Sequence, residues 1–184
     1  MSRVLVAGVG NIFLGDDGFG VEVARRLRED DCSPADDTRG LADDTRGLGE
    51  DTRRPGADVT IADFGIRGVH LAYELLNGYD TLVLIDAVSR GDPPGTVSVI
   101  EATTGPSGGD GVLVAMDAHG MNPGAVLAMV EDLGGRVGQV LVVGCEAASL
   151  DHGIGLSEPV SAALPAALDA VRELIDTLVK EGTP

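Results

Sequence analysis

Residues 4–20 read VLVAGVGNIFLGDDGFG, and this stretch decides the fold. Four apolar residues, Val4 to Ala7, predict a buried strand. Gly8-Val9-Gly10-Asn11 predicts the turn that leaves it. Asp16 and Asp17 follow, then Gly18 and Gly20, which read as flexible joints, and a helix over residues 18–28. Acids so placed stand at the C-terminal edge of the first strand of an α/β sheet, where such folds build their sites. Two acids with no base beside them point to metal handling rather than phosphate binding.

The rest of the chain continues the alternation. Residues 57–62 predict a second strand, and residues 68–76 a helix with Val69, Leu71, Ala72, Leu75 and Leu76 on a helical period. Thr81–Ile85 (TLVLI) is apolar without polar alternation, so it predicts a central strand buried on both faces and ended by Asp86. The turn Gly91-Asp92-Pro93-Pro94-Gly95 leads to a fourth strand over residues 96–100, read as an antiparallel neighbour because the connection is short. Asn122 and Pro123 open a helix as N-cap and first residue, running to about Leu133. Residues 139–143 predict a fifth strand. Ser157 or Glu158 caps a last helix whose buried stripe is Val160, Leu164, Leu168, Val171, Ile175 and Leu178. The class is therefore α/β: one domain, a twisted and mostly parallel five-stranded sheet with one antiparallel strand, and helices on both faces.

Residues 32–56 break this pattern. Asp36-Asp37-Thr38-Arg39-Gly40-Leu41-Ala42 is repeated as Asp43-Asp44-Thr45-Arg46-Gly47-Leu48-Gly49, with a third, broken copy after it. A seven-residue period without paired apolar positions is not a coiled coil. Gly, Asp and Thr make a poor helix and a poor strand, so the segment reads as a flexible surface insert.

Composition excludes several roles. The 184 residues suit one domain, and 43 % hydrophobic residues are enough for a core of Val, Leu, Ile and Ala, since aromatics are only 3 %. Residues 36–54 hold six acids and four arginines, so nearly all of the net charge of −17 belongs to the remainder of the chain. Such a surface repels nucleic acid and anionic lipid. No apolar stretch approaches the ~20 residues of a membrane span. Cys32 and Cys145 form no CxxC pair and no zinc spacing, as expected of two reduced thiols in a cytoplasmic protein.

Three residues fall on the sheet edge where crossover handedness collects the strand-to-helix loops. They are Asp17 after strand one, Asp86 after strand three, and His119 in the loop after strand four. Two hard oxygen donors and an imidazole suit a divalent transition metal. Other readings stand beside this one. Asp17 at a helix N-terminus is worth ~0.3–1 kcal/mol through the dipole alone. Asp86, after five apolar residues, is costly to bury without a partner or a task. His152 competes with His119 for the imidazole role, whereas His70 reads as a surface residue of the second helix. Asp16 is either an orienter of Asp17 or solvated. A dinucleotide fingerprint is excluded by Phe13, where it needs Gly. The phosphate loop GxxxxGK[ST] and the Asp-Ser/Thr-Gly signature of pepsin-like proteases are absent, and Ser149 and Ser157 lack the neighbours of a Gly-x-Ser-x-Gly elbow.

Taken together, these motifs resemble the hydrogenase maturation endopeptidases, which remove a C-terminal extension from the large subunit of nickel–iron hydrogenases. The resemblance rests on GVGNIFLGDDGFGV, on Asp63-Phe64-Gly65-Ile66-Arg67-Gly68 at the family's Asp-Gly-Gly-Thr-x-Gly segment, on LVLIDAV with Asp86, on His119, and on Val143-Gly144-Cys145-Glu146 and Gly155-Leu156-Ser157-Glu158-Pro159-Val160. It implies that Asp17, Asp86 and His119 contact a metal, both as the recognition set and as the catalytic set. That metal is nickel supplied by the substrate, with no organic cofactor. Asp16 or Glu146 would orient a ligand. The implied partner is the hydrogenase large-subunit precursor, met by a monomer in the cytoplasm. There are departures: Asp17 where some members carry Glu, Phe64 and Ile66 in place of Gly and Thr, Ala147 in place of a common Pro, and the insert. The alternative is a non-cleaving module that docks on the precursor or holds nickel.

Overall fold

A computed structural model describes residues 2–31, 58–102 and 123–181. His119, Cys32, the Asn122 cap and the 32–56 insert all lie outside the described residues. Five strands, β1 (Arg3–Val9), β2 (Asp58–Gly65), β3 (Thr81–Val88), β4 (Val97–Ala102) and β5 (Gln139–Glu146), make one sheet of order β2-β1-β3-β5-β4. Four helices are described: α1 (Phe19–Asp31), α2 (Gly68–Leu75), α3 (Pro123–Asp132) and α4 (Glu158–Glu181). A 3-10 turn, Gly15–Gly18, precedes α1 and carries both adjacent aspartates.

Strand periodicity divides the core in two. Val4 and Val6 of β1, with Val83 and Ile85 of β3, face α1 and α4 and pack with Phe19, Val23, Leu164 and Val171. Leu5 and Ala7, with Leu82 and Leu84, face the other way onto Leu71 and Leu75 of α2 and Val130 of α3. Helices thus cover both faces, and every residue of β3 is buried. That is the two-sided burial its unbroken apolar run requires. Leu75 is fully buried, so Leu75→Ala is expected to lower stability by about 2–5 kcal/mol. Urea denaturation measures this.

β1 pairs in parallel with β2 on one side and β3 on the other. Since β1 leads through α1 to β2, and β2 through α2 back across to β3, the chain reverses its winding between β1 and β3. That is the switch point at which doubly wound sheets bind ligands.

Three details differ from the sequence reading. First, β3 runs on to Val88, so Asp86 lies within the strand rather than at its end. Second, β4 is antiparallel, but to β5 and not to β3. The connection from β3 passes over the end of β5, where the Glu146 carboxylate accepts from Arg90 N–H (2.9 Å) and Gly91 N–H (2.9 Å). Gly95 N–H then donates to the Glu146 carbonyl. Third, Gly20 is not a flexible joint. A Cβ there would lie 1.9 Å from the Ile85 carbonyl oxygen and 2.4 Å from that of Val9. The absent side chain lets α1 rest directly on β1 and β3.

Candidate active site

The loop after β1 is folded back on itself. Gly10 takes φ +120°, open to glycine, and donates its N–H to the Gly65 carbonyl at the end of β2 (3.1 Å). The Asp17 carboxylate returns to the start of the loop and accepts from Asn11 N–H at 2.7 Å. Asn11 Oδ1 in turn accepts from Phe13 N–H. The half-buried Asp17 is thereby held over the end of β1.

Asp86 reaches the same place from β3. It is 4 % exposed, and among the described residues its only hydrogen bond comes from Ala87 N–H, at 2.8 Å. Gly10 lies between the two acids. A Cβ on it would stand 1.8 Å from the Asp17 carbonyl oxygen and 3.3 Å from Asp86 Oδ1. Burial pushes the Asp86 carboxyl well above the usual carboxylate range, and the negative charge of Asp17 pushes it further. The two aspartates singled out by sequence are therefore brought together at the switch point, in an arrangement relieved by a cation or a proton. Among the described residues there is no group of three metal-ligating side chains.

The other candidates separate. Asp16 is neither solvated nor spare: it is 1 % exposed, and among the described residues its side-chain hydrogen bonds all go to the 148–157 loop. Burial alone would raise its carboxyl, but N–H groups of Ser157, Ser149 and Ala148 and the Ser157 hydroxyl hold it below the ordinary value. Glu146 is committed to the β3–β4 connection. His152 is exposed in the 148–157 loop, and His70 is exposed on α2, as expected. Cys145 is a free, buried thiol in β5, pushed up to about 11 by burial and by the nearby charges of Asp16 and Glu146. Such a thiol is chemically quiet.

A third carboxylate at this edge was passed over in the sequence. Asp63, paired in register with Gly8, has a buried Oδ1 with no hydrogen-bond partner among the described residues. An acid at the end of a parallel strand was the available signal, the same one that marked Asp86. The turn after it is closed by Arg67, whose guanidinium donates to the Asp63 carbonyl (2.7 Å) and the Phe64 carbonyl (3.0 Å). On the far side of the acidic loop is a cleft of about 340 Å³ between the 3-10 turn and the start of α4. Ile12, Val21, Ile154, Leu156 and Leu164 line it. Ile154 at its mouth is 82 % exposed.

Residues 47–174 match the model of the hydrogenase maturation protease family, HycI. The chain belongs to that family. The matched span includes positions 86 and 119 and begins after Asp17. The chain is 30 % identical over 174 residues to the hydrogenase expression/formation protein HupD of Rhizobium leguminosarum bv. viciae, covering 94 % of this chain and 74 % of that protein. Its fold superposes on the hydrogenase maturating endopeptidase HybD of E. coli with a TM-score of 0.65 and 25 % identity, over 98 % of this chain and 94 % of that one. It also matches a hydrogenase 2 maturation peptidase of Thaumarchaeota archaeon SCGC_AB-539-E09, with a TM-score of 0.59 and 29 % identity over 95 % and 99 % of the two chains. This maturation protease is accordingly an endopeptidase. Its acidic switch-point loop, with Asp17 and Asp86 converging on Gly10, is the candidate active site.

Proposed function

We propose that this protease removes the C-terminal extension of a nickel–iron hydrogenase large-subunit precursor once nickel has been inserted. Asp17, Asp86 and His119 recognise the nickel that the substrate presents. The observation that carries this reading is the state of Asp86. A carboxylate so buried, beside a second carboxylate, with one backbone hydrogen bond and no ion pair among the described residues, is poised for an incoming cation. A precursor that brings a divalent ion supplies the missing charge, and one without nickel does not. Discrimination of loaded from empty precursor follows from that difference.

The chemistry is amide hydrolysis. Water adds to the scissile carbonyl carbon, the C–N bond breaks, and the leaving nitrogen takes a proton. Nickel held by the substrate acts as a Lewis acid on the carbonyl. The carboxylates have a second available task, taking the proton from the attacking water. A monomer in the cytoplasm, free of nucleic acid and membrane, belongs to the same reading. No helix among the described residues is long and apolar enough to cross a membrane.

The test is cleavage of nickel-loaded precursor by Asp17→Ala and His119→Ala. Each is expected to lose more than about 100-fold in rate, since removing even an outer partner of a metal ligand costs 10–100-fold. Wild-type rates from both variants would contradict the reading.

A further inference from the structure

Asp16 occupies the same 3-10 turn as Asp17, yet its carboxylate belongs to a different part of the chain. Oδ2 accepts from Ala148 N–H (2.8 Å), Ser149 N–H (3.0 Å) and the Ser157 hydroxyl (2.9 Å), and Oδ1 accepts from Ser157 N–H (2.6 Å). Backbone bonds run beside it, from Asp16 N–H to the Ser149 carbonyl (3.1 Å) and from Gly15 N–H to the Gly153 carbonyl (3.0 Å). Gly153 N–H returns one to the Phe13 carbonyl (2.9 Å).

We propose that Asp16 is a positioning residue for cleavage: it fastens the turn carrying Asp17 to the 148–157 loop and so fixes where the Asp17 carboxylate stands. The inference rests on the role proposed for Asp17 above. It follows from what the turn would lose without Asp16. Asn11 secures Asp17 within its own loop, and backbone bonds tie that loop to Gly65 and to the 148–157 loop, but none of these backbone bonds fixes the turn through a side chain as Asp16 does. Asp16 adds a four-bond side-chain anchor to these backbone bonds, and its donors lie more than 130 residues away in sequence, on the segment that leads into α4. The anchor requires a carboxylate. Four donors converge on two acceptor oxygens, and an amide would offer one oxygen and turn its NH₂ toward N–H groups. The same loop carries Ile154 and Leu156 of the cleft wall. The acidic turn and the cleft wall are thus joined through one buried side chain beside three backbone bonds. Sub-ångström placement of a ligand is what reaction rates depend on most steeply.

The experiment measures kcat and KM on nickel-loaded precursor for the wild type, Asp16→Asn, Ser157→Ala and Asp17→Ala, with the folded fraction of each taken from thermal melts. Asp16→Asn is expected to lose at least about tenfold in kcat per folded molecule, the scale of an outer-shell defect, with KM changed less than about twofold. Ser157→Ala removes one of the four bonds and keeps the three N–H contacts. It is expected to fold and to lose about two- to fivefold in kcat, the equivalent of one hydrogen bond. A folded Asp16→Asn protein with wild-type kcat, or one altered in KM alone, overturns the proposal. Should Asp16→Asn not fold, unchanged kcat in Ser157→Ala overturns it. An inactive Asp17→Ala beside a fully active Asp16→Asn sinks only the positioning role. A fully active Asp17→Ala sinks the reading on which it rests.

Discussion

The Asp86→Asn protein is expected to melt above the wild type and to have lost cleavage by more than about 100-fold. The sign of the stability change follows from linkage. Burial, then the charge of Asp17, raises the Asp86 carboxyl in the folded state. Between its unfolded and folded values the native state holds the extra proton, so stability is full at the acid end of that window and falls as pH rises through it. At neutral pH the wild type carries this penalty and the amide does not. A gain of about 1 kcal/mol raises the melting temperature by roughly 2–4 °C in a chain of this size. The acid limb of the stability–pH profile should persist in the same variant, because Asp16 works in the opposite direction. Its lowered carboxyl contributes stability above its unfolded value, and that contribution is lost as pH falls through the folded value. Melting curves from about pH 2 to 8 check both. A variant less stable than the wild type at neutral pH would show that Asp86 holds the fold rather than the substrate. A stability–activity exchange of this kind is a common mark of a functional site.

Gly20→Ala should be among the most destabilising single changes in the chain, by at least about 3 kcal/mol, the upper end of overpacking. Alanine ordinarily favours a helix over glycine by about 0.5–1 kcal/mol, so the two effects have opposite signs and size decides. A methyl at 1.9 Å from the Ile85 carbonyl oxygen and 2.4 Å from that of Val9 meets backbone, which no rotamer change relieves. α1 must lift off β1 and β3, and the acidic turn at its head lifts with it. Activity is therefore expected to fall along with stability. Urea denaturation with a parallel cleavage assay measures both, and equal or greater stability would contradict the close approach of helix and sheet.

The central architecture was readable because its signals are local. Val4–Ala7 and Thr81–Ile85 are unbroken apolar runs, and only a strand covered on both faces uses them. The alternation of strand and helix then brings Asp17 and Asp86 to one edge. What escaped the sequence depends on distant partners. Asp86 marked an apparent strand end because polarity usually stops a buried strand, yet here the strand continues for two residues past the acid. The neighbour of β4 was misjudged because a short connection usually joins adjacent strands. Glu146, far along the chain, draws this one over β5. Asp16 read as either an orienter of Asp17 or a solvated acid, and only its bonds to the 148–157 loop show it buried and partnered there. Gly20 looked flexible because sequence does not reveal what a missing side chain would strike. The buried oxygen of Asp63 was visible only once β2 lay against β1.

The most direct test is mass spectrometry of a purified hydrogenase large-subunit precursor after incubation with this protease, nickel-loaded and nickel-free precursor side by side. The account predicts loss of a C-terminal peptide from the loaded form only. Cleavage of both forms alike would contradict nickel recognition by Asp17, Asp86 and His119. Binding to the loaded form without any loss of mass would replace the protease by a non-cleaving checkpoint.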